Sequence, residues 1–126
     1  MQRFIEFRGQ DEEKNWHFGN YDKDNNEIFY THIDGTGIHR VTIPIIPETV
    51  GEFVELDSNK KPIYENDIVA CDDGIIENVG VVQKYQLAWF VFHQGKAMGR
   101  LWWFLQNEKV RIIGNKFDNP EILEVS

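Results

Sequence analysis

The chain has 126 residues, 13% of them aromatic, and a net charge of −8 from thirteen Lys and Arg against twenty-one Asp and Glu. Its length fits one domain or two very small ones, and its aromatic content is enough for a core, which excludes a disordered chain. The acidity disfavours duplex DNA as a partner, because such binding draws on cations that neutralise phosphates. A single cysteine, Cys71, allows no internal disulfide and points to a reducing cytoplasm. No secretory leader and no apolar run of bilayer-spanning length is visible in the sequence.

In chain order the dominant period is two. Ile5 and Phe7 alternate with charges, and a polar turn over Gly9–Asn15 separates them from Trp16-His17-Phe18. The Asp- and Asn-rich stretch from Tyr21 to Glu27 reads as a turn. Ile28–Ile33 and Ile38–Ile46 read as strands across a turn at Asp34–Gly37, with Pro44 and Pro47 marking an edge or an end. These segments predict a β-meander over residues 1–50.

Beyond it, residues 51–126 predict a second subdomain. A turn signature over Leu56–Ile63 leads to a tight corner followed by a strand over Ile63–Val69, with a loop at Asp72-Asp73-Gly74. Asn78–Gln83 is a strand with a glycine, Gly80, at a bend or close approach. Leu87–Phe92 is a strand, Leu101–Leu105 is apolar throughout, and Val110–Ile113 is a further strand. Five short strands between Ile63 and Ile113 predict a small closed barrel, which leaves no open sheet edge. Asn119 before Pro120 predicts a short C-terminal helical turn opened by a side-chain cap.

Candidate chemistry is sparse. Glu65 and Asp67 could form a carboxylate pair, but an Asp at a corner has a ready role in accepting backbone amides. Asp72 and Asp73, with Asp67, lack the loop spacing of a calcium site. His32 and His39 can face one another across their turn, but with His17 and His93 they show no zinc spacing, so no metal or cofactor is expected. Cys71 has no legible base or oxyanion donor, even with His93 as a candidate base. Glu48, Glu52 and Glu55 read as a solvated acidic face, with a helical turn possible at Pro47-Glu48-Thr49. The aromatic stretches Trp89–Phe92 and Leu101–Leu105 can each fill a core with one face and present the other. Trp102 and Trp103 are adjacent, so in a strand they point to opposite sides and at least one is exposed. Trp89, Trp102, Trp103 and Phe104 are therefore the candidate interaction surface.

The segment Ile46–Phe53, the segment Leu56–Val69 and the late Ile112–Leu123 resemble the YopX family of phage and prophage proteins, in order and over nearly the whole chain. The residues that carry the likeness include Pro47, Gly51, Ile63, Tyr64, Asp67, Gly114, Asn115, Asn119 and Pro120. The opening Ile5–Gly9 and Trp16–Gly19 are similar to the family as well. The family usually carries glycine where this chain has Lys60 and Asn66, and Thr-Gly where it has Val54-Glu55. Asn tolerates positive φ, whereas Lys fits it poorly, which predicts a different turn type at position 60. The resemblance implies a phage accessory protein in a bacterial cytoplasm, an SH3-like barrel, and no catalytic residues or cofactor. The expected activity is non-catalytic binding to a protein partner or to itself. Nucleic-acid-related binding or DNA mimicry comes second, and an enzyme on a small substrate last.

Overall fold

A computed structural model describes residues 6–124 of the chain. It divides into two compact units, Met1–Phe53 and Val54–Ser126.

In the first unit a polar turn at each strand end and β-branched or aromatic residues between them produce a meander. β1 (Phe7–Gln10), β2 (Trp16–Asp22), β3 (Glu27–Asp34) and β4 (Gly37–Pro44) are followed by a single 3-10 turn at Pro47–Thr49. β5 (Gly51–Leu56) begins in this unit, and its first residues return to β1, with Glu52 opposite Phe7 and Gly51 opposite Arg8. The strand order is β4-β3-β2-β1-β5, which leaves β4 as an edge strand ending at Pro44. Ile5, expected in the first strand, lies outside the described residues. Gly9 and Gln10, read above as turn, are strand, paired with His17 and Trp16 of β2, and a Cβ at Gly9 would come within 2.6 Å of Ile45 Cδ1. Thr49 ties the 3-10 turn down, its hydroxyl accepting the Gln10 amide at 2.8 Å.

In the second unit a turn over residues 57–61 joins β5 to β6 (Pro62–Tyr64). β7 (Asp67–Asp72), β8 (Glu77–Tyr85), β9 (Ala88–His93), β10 (Lys96–Arg100), α1 (Leu101–Asn107), β11 (Lys109–Asn115) and α2 (Glu121–Glu124) follow. Five strands form one antiparallel sheet in the order β10-β9-β8-β7-β11. The protein is thus mainly β, but the closed barrel is not formed. β10 and β11 are opposite edges of the sheet, and no pairing joins them among the described residues. The missing strand is Leu101–Leu105, which is helical and carries the chain from one edge to the other.

The core of this unit gathers Ile63, Val69, Cys71, Val82, Val91, Leu101, Phe104 and Val110. Helical spacing sends Leu101 and Phe104 into it, with Leu105 packed beside them. Gly99 permits the approach, since a Cβ there would lie 3.2 Å from the Phe104 ring. Gly80 serves a close approach too, lying within 2.6 Å of the Phe92 carbonyl and the Val91 side chain if given a Cβ. Among the described residues no helix is long and apolar enough to cross a membrane.

Candidate functional site

The exposed aromatic surface of the second unit begins on α1. Seven residues make two helical turns, and only one stripe of them can face the core. Trp102 and Trp103 fall outside that stripe and are 67% and 48% exposed. The expectation that they diverge to opposite sides of a strand is overturned: the helix puts both rings outside. Of the other two candidates, Phe104 is a core residue whose ring meets Trp103 edge-on at 5.3 Å. Trp89 packs against the core, with the Lys84 ammonium 5.8 Å from its ring.

Trp102 stands between two open clefts. One, of about 540 Å³, runs between α1 and the turn after β5, with Val54, Leu56, Trp89, Leu101 and Leu105 for apolar walls and Glu55, Asp57, Lys60 and Arg100 for charges. The other, of about 570 Å³, is lined by Asn78, Met98, Gly99, Arg100, Trp102, Trp103 and Phe104, and Arg100 is its single charge. Met98 reaches it through an irregularity in β10: the register against β9 slips between Ala97 and Gly99, so Met98 opposes no residue of β9.

A second cluster of rings lies on the sheet itself. Val91 points into the core, so Phe90 and Phe92 on either side of it point away. Tyr85, from β8, meets both edge-on at 5.8 and 6.4 Å, and Phe90 and Phe92 are 6.2 Å apart. The Arg100 guanidinium sits 5.9 Å over the Phe90 ring. Tyr85, Phe90, Phe92 and Arg100 lie outside the candidate surface of Trp89, Trp102, Trp103 and Phe104 read from the sequence. The alternation around Val91 was visible, but the β8–β9 register that brings Tyr85 to it was not.

The other candidate groups have structural partners. Asp67 is 2% exposed and accepts the Tyr64 amide at 2.8 Å, closing the corner before β7. Asp72 accepts the Gly74 amide, while Asp73 accepts those of Ile75 and Ile76, which lower its pKa. His32 and His39 are directly paired across β3 and β4, and each Nε2 approaches Asp34, at 3.4 and 3.3 Å. Among the described residues no three His, Cys, Asp or Glu are placed to hold a metal ion. Burial pushes the Cys71 thiol up to about 12, with the Glu108 charge adding to it. β8 lies between the strands of Cys71 and His93, and His93 Nδ1 is instead 2.9 Å from the Val79 carbonyl oxygen.

The signature residues build two turns and a corner. Asp57 Oδ1 accepts the amides of Asn59 and Lys61, at 2.8 and 2.9 Å. Lys60 has a left-handed backbone, with φ +66. Asn66 is left-handed as well, with φ +75. Near the C-terminus Asn115 Oδ1 accepts the amides of Phe117 and Asp118. Asn119 does not cap α2 with its side chain in the expected way: its Oδ1 accepts the Asn115 amide at 3.3 Å, and its carbonyl takes the Ile122 amide. Pro47 opens the 3-10 turn, and Gly51 begins β5.

No curated protein matches the chain. The family model described as YopX protein matches residues 6–124, nearly the entire chain, and the protein belongs to the YopX family.

Proposed function

We propose that this chain is a non-catalytic binding module of a phage or prophage, working in the cytoplasm of the bacterial host through the surface around α1. The observation that carries this reading is the pair Trp102 and Trp103, neighbours in sequence and both exposed on a helix whose other face is core. Large apolar rings left in water beside open clefts are the usual mark of a contact surface. Met98, 36% exposed, extends the apolar area. Family membership supports the phage setting, and a lone buried cysteine fits a reducing compartment.

The test is a photoreactive residue placed at position 103, irradiated in phage-infected cells, with the solution mass of the purified protein followed by light scattering in parallel. Discrete crosslinked species, to a second copy or to a foreign molecule, that vanish on Trp102→Ala support the reading. A mass fixed at one chain's 14.8 kDa at every concentration, together with no discrete crosslink, overturns it.

A further inference from the structure

The acidic charge of this chain is not spread evenly along it. Residues 78–107 contain no Asp or Glu, but hold Lys84, Lys96 and Arg100; the remaining chain carries ten cations against twenty-one acids. The same thirty residues hold seven of the seventeen aromatic rings. They form β8 from its second residue, β9, β10 and α1, so the topology gathers them on one end of the sheet.

Exposed rings there flank one guanidinium. On one side of Arg100 lies the Tyr85–Phe90–Phe92 cluster, with the guanidinium over Phe90. On the other is the cleft of Trp102, Trp103 and Met98, where Arg100 is the sole charge among the described residues. Arg100 forms no ion pair within the protein among the described residues, so its charge is available to an anion. The cleft on the far side of Trp102 includes Glu55 and Asp57 and is the poorer path for an anion.

We propose that the two ring clusters about Arg100 bind single-stranded nucleic acid, with bases stacking on Tyr85 and Trp102 and Arg100 contacting a phosphate. This deepens the binding-module reading and rests on it. Stacking needs accessible π-faces beside a cation and tolerates any base, which is what the two clusters and Arg100 offer. A duplex buries its base faces and rewards many phosphate contacts, which three cations on an acidic chain do not supply. An acidic peptide would satisfy Arg100 but make no use of two ring clusters.

The experiment is fluorescence anisotropy of a labelled oligothymidylate of about a dozen nucleotides, within the site sizes such surfaces cover, titrated with the intact protein from low to moderate salt. Expected is saturable binding at low salt, with log affinity falling against log salt no more steeply than about −2, the value for three single-strand phosphate contacts. Tyr85→Ala and Trp102→Ala, both at exposed positions, should each weaken binding between about fivefold and about a hundredfold. Arg100→Gln should weaken it and make the slope shallower by about 0.7. Circular dichroism confirms that each variant is folded. The inference is overturned by absence of binding at low salt, by unchanged affinity in the ring variants, by a duplex that binds as tightly, or by polyglutamate of equal charge competing equally well. If the oligonucleotide fails to bind while the Trp102-dependent protein crosslink remains, this inference falls and the binding-module reading stands. If both are absent, both fall.

Discussion

Gly114 lies directly under the side chain of Asn119: a Cβ at position 114 would come within 2.6 Å of Asn119 Oδ1 and 3.0 Å of its Cβ. The contact closes the C-terminal end of the fold. Gly114 sits in β11 just past a register shift against β7, and the neighbouring Asn115 exchanges hydrogen bonds with Asn119 in both directions. Lys116 then donates its amide to the Asn66 carbonyl, joining this segment to the corner before β7.

Gly114→Ala should therefore destabilise the protein by about 1–3 kcal/mol, the usual cost of forcing one extra methyl into a packed site. Denaturant melts measure it. Asn119→Gly in the same chain removes the atoms that clash, so the cost of Gly114→Ala should shrink in that background. Equal costs in both backgrounds would refute the packing account.

Lys60 carries a different strain. It holds φ +66 in a turn whose other bonds are good: its amide meets the Asp57 carbonyl at 3.0 Å, and the Asp57 amide donates to the Lys61 carbonyl at 2.7 Å. A left-handed L-residue costs about 1–2 kcal/mol, and glycine is spared that cost but loses more chain entropy on folding. Lys60→Gly should raise stability by about 0.5–1 kcal/mol, read as a shift of the thermal midpoint upward. A lower midpoint would show that the Lys60 side chain has a packing role outweighing its backbone strain.

What could be read from the sequence follows from how local each signal is. The turn at 57–61 and the corner at Asp67 rest on Asp side chains bonding amides within four residues, so residue type alone points to them, whereas the turn that Asn115 and Asn119 build was read only as a helix start. The β-meander of the first unit is legible for the same reason, with strand period between turn-rich stretches. α1 was not. Five consecutive apolar residues fit a buried strand as well as a helix, and no capping side chain marks its start at Arg100. Only tertiary packing of Leu101 and Phe104 together decides it. That single reassignment opens the expected barrel and puts both Trp102 and Trp103 outside. The ring cluster around Tyr85 needs the pairing of Gln83 with Phe90 and Tyr85 with Ala88, a register that period alone does not state.

Cys71 ties stability to alkaline pH. Its thiol titrates near 9 in an unfolded chain and is pushed up to about 12 in the fold, by burial first and the Glu108 charge second. The fold thus favours the protonated thiol. Its contribution is complete below pH about 9 and is lost as pH rises toward 12, by up to about 1.4 kcal/mol per pH unit. Cys71→Ala starts from a lower stability because a buried group is removed, yet should lose less between pH 9 and 11 than the parent chain does. The native thiol should also resist iodoacetamide at neutral pH and react only on unfolding. Rapid alkylation of the folded protein would contradict the burial.

Glu108 and Asp73 should respond to neutralisation with opposite signs. Glu108 follows α1 and is only partly buried, and its Oε1 has no hydrogen-bond partner among the described residues. Its carboxyl titrates above the ordinary glutamate value, because burial disfavours the charge and Asp73 and Asp72 repel it. A raised acid is a native-state penalty at neutral pH, and the penalty disappears once the group is protonated in folded and unfolded chains alike. Glu108→Gln should accordingly stabilise at pH 7, by less than about 1 kcal/mol for a group this close to solvent, and the gain should vanish as pH falls below the ordinary glutamate range of 4.5. Asp73 is the reverse case. The Ile76 and Ile75 amides bond its carboxylate and hold its pKa down, so the charged form is what the fold favours. Asp73→Asn should destabilise at neutral pH, with the difference from the parent fading as acid protonates Asp73 through its lowered pKa. Denaturant midpoints of the two variants, measured from pH 7 down to pH 3, should therefore converge on the parent curve from opposite sides. Two curves lying on the same side would mean that the loop around Asp73 and the end of α1 do not share the electrostatics described.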